Sequence, residues 1–261
     1  MAALGLSLAI PYDWKRAASA SAPFDPASMF AGGLNGWLYN GAADQSAFLQ
    51  SAGGAVCVDG DPIGFIQDLS GNGYHQAQTT GGNKTVCRVE LDGTRSVYAG
   101  TAKETNATVS VPAERTEIYV FKQMQFSGSG EAYLMYVTDS GSLIDCFMAE
   151  NDWHKYIIEA SDTRGLYVAS MDISRPAIFV RKKTATDVQY AAYYLSDGSA
   201  IAGGGTSHAS HSTNTITTAH IGNQYASIAH CCPFYMCIEG APDLTDLLSY
   251  LVDTFGAWSP T

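Results

Sequence analysis

The sequence predicts an antiparallel β-sandwich closed by one helix and preceded by an extended arm. Three observations lead there. Short runs rich in β-branched and aromatic residues recur along most of the chain. Turn chemistry separates them, as Asp92-Gly93, Ser127-Gly128-Ser129-Gly130, Asp139-Ser140-Gly141 and Asp197-Gly198. Helical periodicity is clear in one segment, close to the C-terminal end.

In chain order, residues 1–23 form the expected arm: small residues from Ala17 to Ala22 follow Trp14-Lys15-Arg16, and Pro23 and Pro26 come next. Residues 24–261 form the sandwich. Strands are expected at Val86–Leu91, Thr116–Lys122, Glu131–Thr138, Ser142–Ala149, Lys155–Ala160, Gly165–Met171, Ala177–Arg181, Val188–Leu195, Thr215–Ile221 and Pro233–Ile238. The helix is expected over Asp243–Phe255. There Leu244, Leu247, Leu248, Leu251, Val252 and Phe255 recur at helical spacing on one face, with Pro242 and Asp243 at the start and Gly256 at the end. A lone helix with one apolar stripe must pack on the sandwich, at a sheet edge or against an outer side.

Composition narrows the function. The 261 residues carry 14 basic and 25 acidic side chains, a formal charge of −11, and only 15% are charged. A surface that tracks nucleic acid needs clustered Lys or Arg to release counterions, and here the basic residues are scattered. Arg181-Lys182-Lys183 is the exception and reads as a strand end entering a solvated turn. No apolar run approaches the roughly 18 residues of a membrane span, and Lys15 and Arg16 follow the apolar opening instead of preceding it, so no secretory leader and no membrane insertion are expected. The six cysteines, at 57, 87, 146, 231, 232 and 237, have no regular spacing and are expected as reduced, mostly buried thiols.

Residues 24–78 carry a more specific pattern: Phe24-Asp25-Pro26-Ala27-Ser28-Met29-Phe30, then Gly33 to Tyr39, Asp61-Pro62-Ile63-Gly64, and Asp68-Leu69-Ser70-Gly71-Asn72-Gly73-Tyr74-His75-Gln76-Ala77. This resembles concanavalin A-like lectin/glucanase (LamG-like) domains of tailed-bacteriophage and prophage virion proteins. The close is similar too, with Ala219-His220-Ile221-Gly222-Asn223 ahead of a strand and the terminal helix. The chain departs from the family at Trp37-Leu38-Tyr39-Asn40-Gly41, and its middle third carries no family motif. The resemblance implies a jelly-roll fold and a virion setting, and no enzyme activity.

Several constellations are candidate sites. Asp68 and Asn72, in a glycine-rich loop, offer alternate oxygen ligands, and Asp59 and Asp61 precede them, so these four are weak calcium candidates. Against calcium, no bidentate carboxylate closes the loop before Glu90, and a self-bonded turn explains the same residues. No cofactor is otherwise expected. Glycoside hydrolysis needs two carboxyls flanking the scissile bond; the superfamily's Glu-x-Asp-x-x-Glu string is absent, Glu150-Asn151-Asp152 and Glu159 to Asp162 being the nearest approximations, so no catalytic residue is assigned. His208, His211, His220, His230, Cys231, Cys232 and Cys237 supply zinc-type ligands without zinc-type spacing. Asn151, Asp152, Trp153, His154 and Tyr156 are the glycan-binding candidates: an indole to stack on a sugar ring, among groups that bond hydroxyls. Trp153 is more readily explained as a core or subunit-interface aromatic, since large aromatics dominate both.

The expected function is therefore a non-enzymatic virion structural protein, a fibre, spike or decoration subunit. Its arm would dock on other virion proteins and its sandwich would meet a host-surface glycan. A homo-oligomer, taken as a trimer, is expected. The alternatives are a glycoside hydrolase on the same sandwich and a non-viral carbohydrate-binding module.

Overall fold

In the computed structural model, residues 23–42, 47–99, 103–126, 131–140, 142–150, 155–159, 175–185, 188–201, 215–223 and 228–256 are described. The expected arm (apart from Pro23) and the expected strand Gly165–Met171 lie outside them.

The chain is a sandwich of antiparallel sheets. A five-stranded sheet has the order β1 (Gly36–Asn40), β17 (Phe234–Glu239), β8 (Arg115–Phe121), β13 (Ala177–Lys183) and β14 (Val188–Tyr194). An eight-stranded sheet runs β12 (Lys155–Glu159), β11 (Ser142–Glu150), β10 (Glu131–Asp139), β15 (Ile216–Asn223), β7 (Lys103–Val111), β4 (Gln76–Ala77), β3 (Phe65–Ile66) and β2 (Phe48–Leu49). A third, four-stranded sheet joins β5 (Val86–Val89), β6 (Arg95–Ala99), β16 (Ile228–Cys232) and β9 (Gln123–Phe126). The third sheet continues the first. β8 passes into β9 through Lys122, and β16 into β17 through Pro233, while the two stay paired on either side, Gln123 with Cys231 and Val120 with Phe234.

Alternation explains why β8 is buried along its whole length. Tyr119 and Phe121 join Trp37, Tyr39, Phe179 and Tyr235 in the core between the sheets, while Ile118 and Val120 turn the other way with Leu38, Ile178, Val180 and Met236. That second face would be solvated in a bare sheet. Instead α1 (Thr245–Phe255) covers it with Leu247, Leu248, Leu251 and Phe255, each contributing about 2 kcal/mol through burial. The helix thus takes the outer side of a sheet, one of the two expected places. Its start is fixed by Asp243, whose Oδ1 accepts from the Thr245 amide at 2.9 Å and the Thr245 hydroxyl at 2.7 Å. Its end is fixed by Gly256, where a Cβ would meet Val252 O at 2.4 Å and Leu195 O at 2.8 Å.

Arg181-Lys182-Lys183 requires a correction. It is not a solvated turn: it lies within β13, and Arg181 and Lys183 are each 1% exposed. Arg181 bonds Glu117 Oε2, and Arg115 Nε donates to Glu117 Oε1 at 3.2 Å. Arg115, Glu117 and Arg181 share the parity of Tyr119 and Phe179, so this charged group lies on the side of the sheet that faces the inter-sheet core. Strand alternation put Arg181 and Lys183 inside, and the carboxylate of Glu117 pairs with Arg181 and Arg115.

Candidate functional site

With α1 on the outer side of the five-stranded sheet, the outer face of the eight-stranded sheet is, among the described residues, the remaining broad β surface. The sequence of β7 makes it polar. Thr105, Ala107, Val109 and Val111 are buried, while Glu104, Asn106, Thr108 and Ser110 alternate with them and point away from the core. Register extends this face across the sheet. Asn106 pairs with Ala77 on one side and His220 on the other, and His220 pairs with Tyr136. Thr108, Thr218 and Thr138 form the adjoining row. On the near side Ala77 pairs with Phe65, whose ring lies 5.0 Å from that of His75.

The chemistry concentrates at Glu104. Its Oε2 accepts the Tyr136 hydroxyl, and His220 Nδ1 stands 3.7 Å from the same oxygen, an ion-pair distance and not a hydrogen bond. The Tyr136 and His220 rings stack at 4.1 Å, nearly parallel. The neighbouring imidazole, and then the Tyr136 hydroxyl, hold the Glu104 carboxyl below its ordinary value although burial opposes this. The carboxylate is therefore ionised at neutral pH and 28% exposed. Its place depends on Gly222, directly opposite on β15. A Cβ there would come within 2.4 Å of Glu104 Cα and 2.6 Å of its Cβ.

An ionised carboxylate beside an imidazole, flanked by the Asn106 amide and the hydroxyls of Thr108 and Thr218, can accept and donate hydrogen bonds to a polyhydroxylated ligand, while Tyr136 and Thr138 are buried. The Phe65 and His75 rings add surface on which an apolar sugar face could stack. In hydrolysis an ionised carboxylate serves as nucleophile or base, opposite a second, protonated group.

The calcium candidates are engaged differently. Asp68, 4% exposed, accepts the amides of Leu38 (2.9 Å) and Ser70 (3.0 Å) at Oδ1, and the Ser70 hydroxyl (2.8 Å) and Tyr74 amide (2.9 Å) at Oδ2. Gly71 and Gly73 hold the positive φ of +88° and +79° that the turn requires. Asn72 donates through Nδ2 to the carbonyls of Leu34 and Gly36. Asp61 Oδ2 accepts from the Val58 amide and Gln50, and Asp59 pairs with Arg88 and the Val89 amide. Among the described residues no three His, Cys, Asp or Glu gather as a metal site. Of the glycan-binding candidates, Asn151, Asp152, Trp153 and His154 lie outside the described residues, and Tyr156 sits on β12 opposite Met148. Within the late histidine and cysteine group, His220 belongs to the outer face, whereas Cys232 and Cys237 lie in the core between the sheets.

Glu104, Asn106 and Tyr136 were absent from the sequence reading. The period-two pattern of Lys103–Val111 was the available signal. Glu104 meets Tyr136 and His220 only through strand pairing.

No family model and no curated protein matches the chain. Solved structures do. A GH54 α-L-arabinofuranosidase aligns over 90% of this chain and 65% of its own length, with TM-score 0.62 and 14% identity. Trypanosoma rangeli sialidase aligns over 87% of this chain and 34% of its own, with TM-score 0.53 and 10% identity. The binding domain of Botulinum neurotoxin DC, solved in complex with SialylT, aligns over 71% and 48%, with TM-score 0.51 and 9% identity. The chain thus spans less than two thirds of each of these proteins. The likenesses show the fold, a β-sandwich shared with carbohydrate-active and carbohydrate-binding proteins. They also correct one expectation. Enzyme activity was set aside because the glucanase carboxylate string is missing, yet two of these sandwich-containing proteins are glycosidases, so its absence does not make this chain a non-enzyme.

Proposed function

We propose that the chain is a carbohydrate-active sandwich that takes a saccharide on the outer face of the eight-stranded sheet, with Glu104 as the ionised carboxylate of the site. The observation that carries this reading is the Glu104–Tyr136–His220 cluster, partly open on a polar sheet face of a sandwich whose solved likenesses act on or bind glycosides. Hydroxyl recognition falls to Glu104, Asn106, Thr108 and Thr218, and stacking to the Phe65 and His75 side. Glycoside hydrolysis is the reaction class, with arabinofuranosides and sialosides the first substrates to try. The test pairs a glycan array with release of sugar from nitrophenyl arabinofuranoside and a fluorogenic sialoside, using the parent and Glu104→Gln. Binding or turnover by the parent, reduced at least tenfold in a variant that remains folded, supports the proposal. A parent that neither binds nor cleaves any member of the panel overturns it.

The second reading is the virion setting, favoured by the sequence pattern at residues 24–78. There the arm over residues 1–23 docks on other virion proteins, and an oligomer, taken as a trimer, presents the same sheet face to a host-surface glycan. Deleting residues 2–22 tests the docking: the folded domain should fail to join particles, and normal incorporation sinks the idea.

A further inference from the structure

We propose that the cavity between the outer face of β13 and β14 and the first turn of α1 binds a small zwitterion, an α-amino acid with an apolar side chain. Strand alternation turns Arg181 and Lys183 inward, so Lys182 lies on the opposite side of β13 together with Val180, the side that α1 covers. Tyr193 of β14 shares that side, since it pairs with Ile178. The cover is incomplete at one end. There Val180, Lys182 and Tyr193 line a cavity of about 330 Å³, bounded on the helix side by Asp243, Leu244 and Leu248. The segment leading to Asp243 is tied to the sheet: the Gly240 amide donates to Glu114 O at 3.1 Å, and the Thr116 hydroxyl donates to Gly240 O at 2.8 Å.

Volume and lining limit the occupant. The space stands at the lower end of ligand cavities, roughly 300–1,000 Å³, which suits a molecule the size of one amino acid and not an oligosaccharide. Its floor is apolar, with Val180, Leu244 and Leu248 all buried. One cation, one anion and one phenol complete the lining. Lys182 Nζ and the Tyr193 hydroxyl have no hydrogen-bond or ion-pair partner among the described residues. Burial raises the Tyr193 phenol above its ordinary value, so it is a neutral donor at neutral pH. Asp243 Oδ1 is taken by the amide and hydroxyl of Thr245, which holds the carboxyl below its ordinary value and leaves Oδ2 without a partner among the described residues.

Two opposite charges thus share one small cavity without pairing with each other. A ligand of single charge would meet one of them and be repelled by the other, whereas a zwitterion satisfies both. Its carboxylate accepts from Lys182 Nζ and the Tyr193 hydroxyl, its ammonium donates to Asp243 Oδ2, and its side chain lies on the apolar floor. The cavity belongs to the outer side of the five-stranded sheet and Glu104 to that of the eight-stranded one, so the inference stands independently of the saccharide reading.

The test is calorimetric titration of the full chain with L-leucine and L-phenylalanine. Comparators are 4-methylpentanoate, which lacks the amine, 3-methylbutylamine, which lacks the carboxylate, and glycine, which lacks the apolar group. The expected result is saturable one-site binding of at least one of the two amino acids with Kd of about 1 mM or below, at least tenfold tighter than any comparator. Lys182→Met, Tyr193→Phe and Asp243→Asn should each weaken that binding about fivefold or more while circular dichroism stays unchanged; the asparagine keeps the oxygen that accepts from Thr245. No saturable binding of either amino acid by the parent overturns the proposal. Equal affinity for 4-methylpentanoate or 3-methylbutylamine does so as well, since one of the two charges would then be idle. Parental affinity in both Lys182→Met and Asp243→Asn also overturns it, because the amino acid would then bind elsewhere on the molecule.

Discussion

Replacing Asp68 by alanine should cost about 3–4 kcal/mol. Its carboxylate accepts four hydrogen bonds, and of those donors only the Ser70 hydroxyl has a second acceptor among the described contacts, the Gly36 carbonyl at 3.1 Å. The Leu38 amide lies in buried surroundings and should carry a full unsatisfied-donor penalty of about 2 kcal/mol, while the partly buried Ser70 and Tyr74 donors recover some hydration and should lose about 0.5–1 kcal/mol each. For a domain of this size the sum lowers Tm by roughly 6–15 °C. Asp68→Asn keeps one oxygen toward Leu38 but turns an amide donor or a weaker acceptor toward Tyr74, so it should fall about midway. Thermal and urea unfolding, each with added calcium and with chelator, measures both the cost and its origin. The reasoning is refuted by an alanine variant within 1 kcal/mol of the parent. It is refuted equally by a parent whose Tm rises with calcium while the variant's does not, since Asp68 would then be a ligand and not the hub of a turn.

Glu117→Gln should destabilise by about 3–5 kcal/mol, because Arg115 and Arg181 would keep their buried charges without the carboxylate; a change under 1 kcal/mol in urea denaturation would count against the ionic account. The lowered pKa of Glu104 means that its stabilising contribution is complete above the unfolded carboxylate value near 4.5 and is lost as pH falls through the lower folded value. Glu104→Gln should therefore flatten the acid limb of a Tm-against-pH curve and leave it unchanged at neutral pH and above, apart from a constant offset; a slope unaltered below pH 4.5 would contradict this. Gly222→Ala drives a methyl group into Glu104 and the Lys103 carbonyl at a φ of +152°, so it should impair saccharide binding and cost about 1–3 kcal/mol, read by calorimetry and unfolding together.

The fold was legible where local chemistry decides it. Apolar spacing located the helix to within two residues of Thr245–Phe255, and β-branched runs with Gly-Asp punctuation located β8, β10, β11, β13, β14 and β17. β7 was missed because its outward residues include Glu, Asn and Ser, which read singly do not suggest a strand. Arg181 was misjudged for a related reason: its burial depends on Glu117, 64 positions away in sequence. The site was the least legible part. Glu104, Tyr136 and His220 become neighbours only by pairing of β7, β15 and β10, and no spacing along the chain encodes that register.

A free-standing sandwich has two equivalent outsides, and nothing in its architecture tells one from the other. Here the apolar stripe of α1 occupies one of them, which gives the molecule a back and a front. Whatever approaches as a broad planar contact is thereby sent to the sheet bearing Glu104. Copies set side by side with their covered faces on one support would all look the same way, so an array of them would present one uniform layer of carboxylate, imidazole and threonine hydroxyl instead of a mixture of two surfaces.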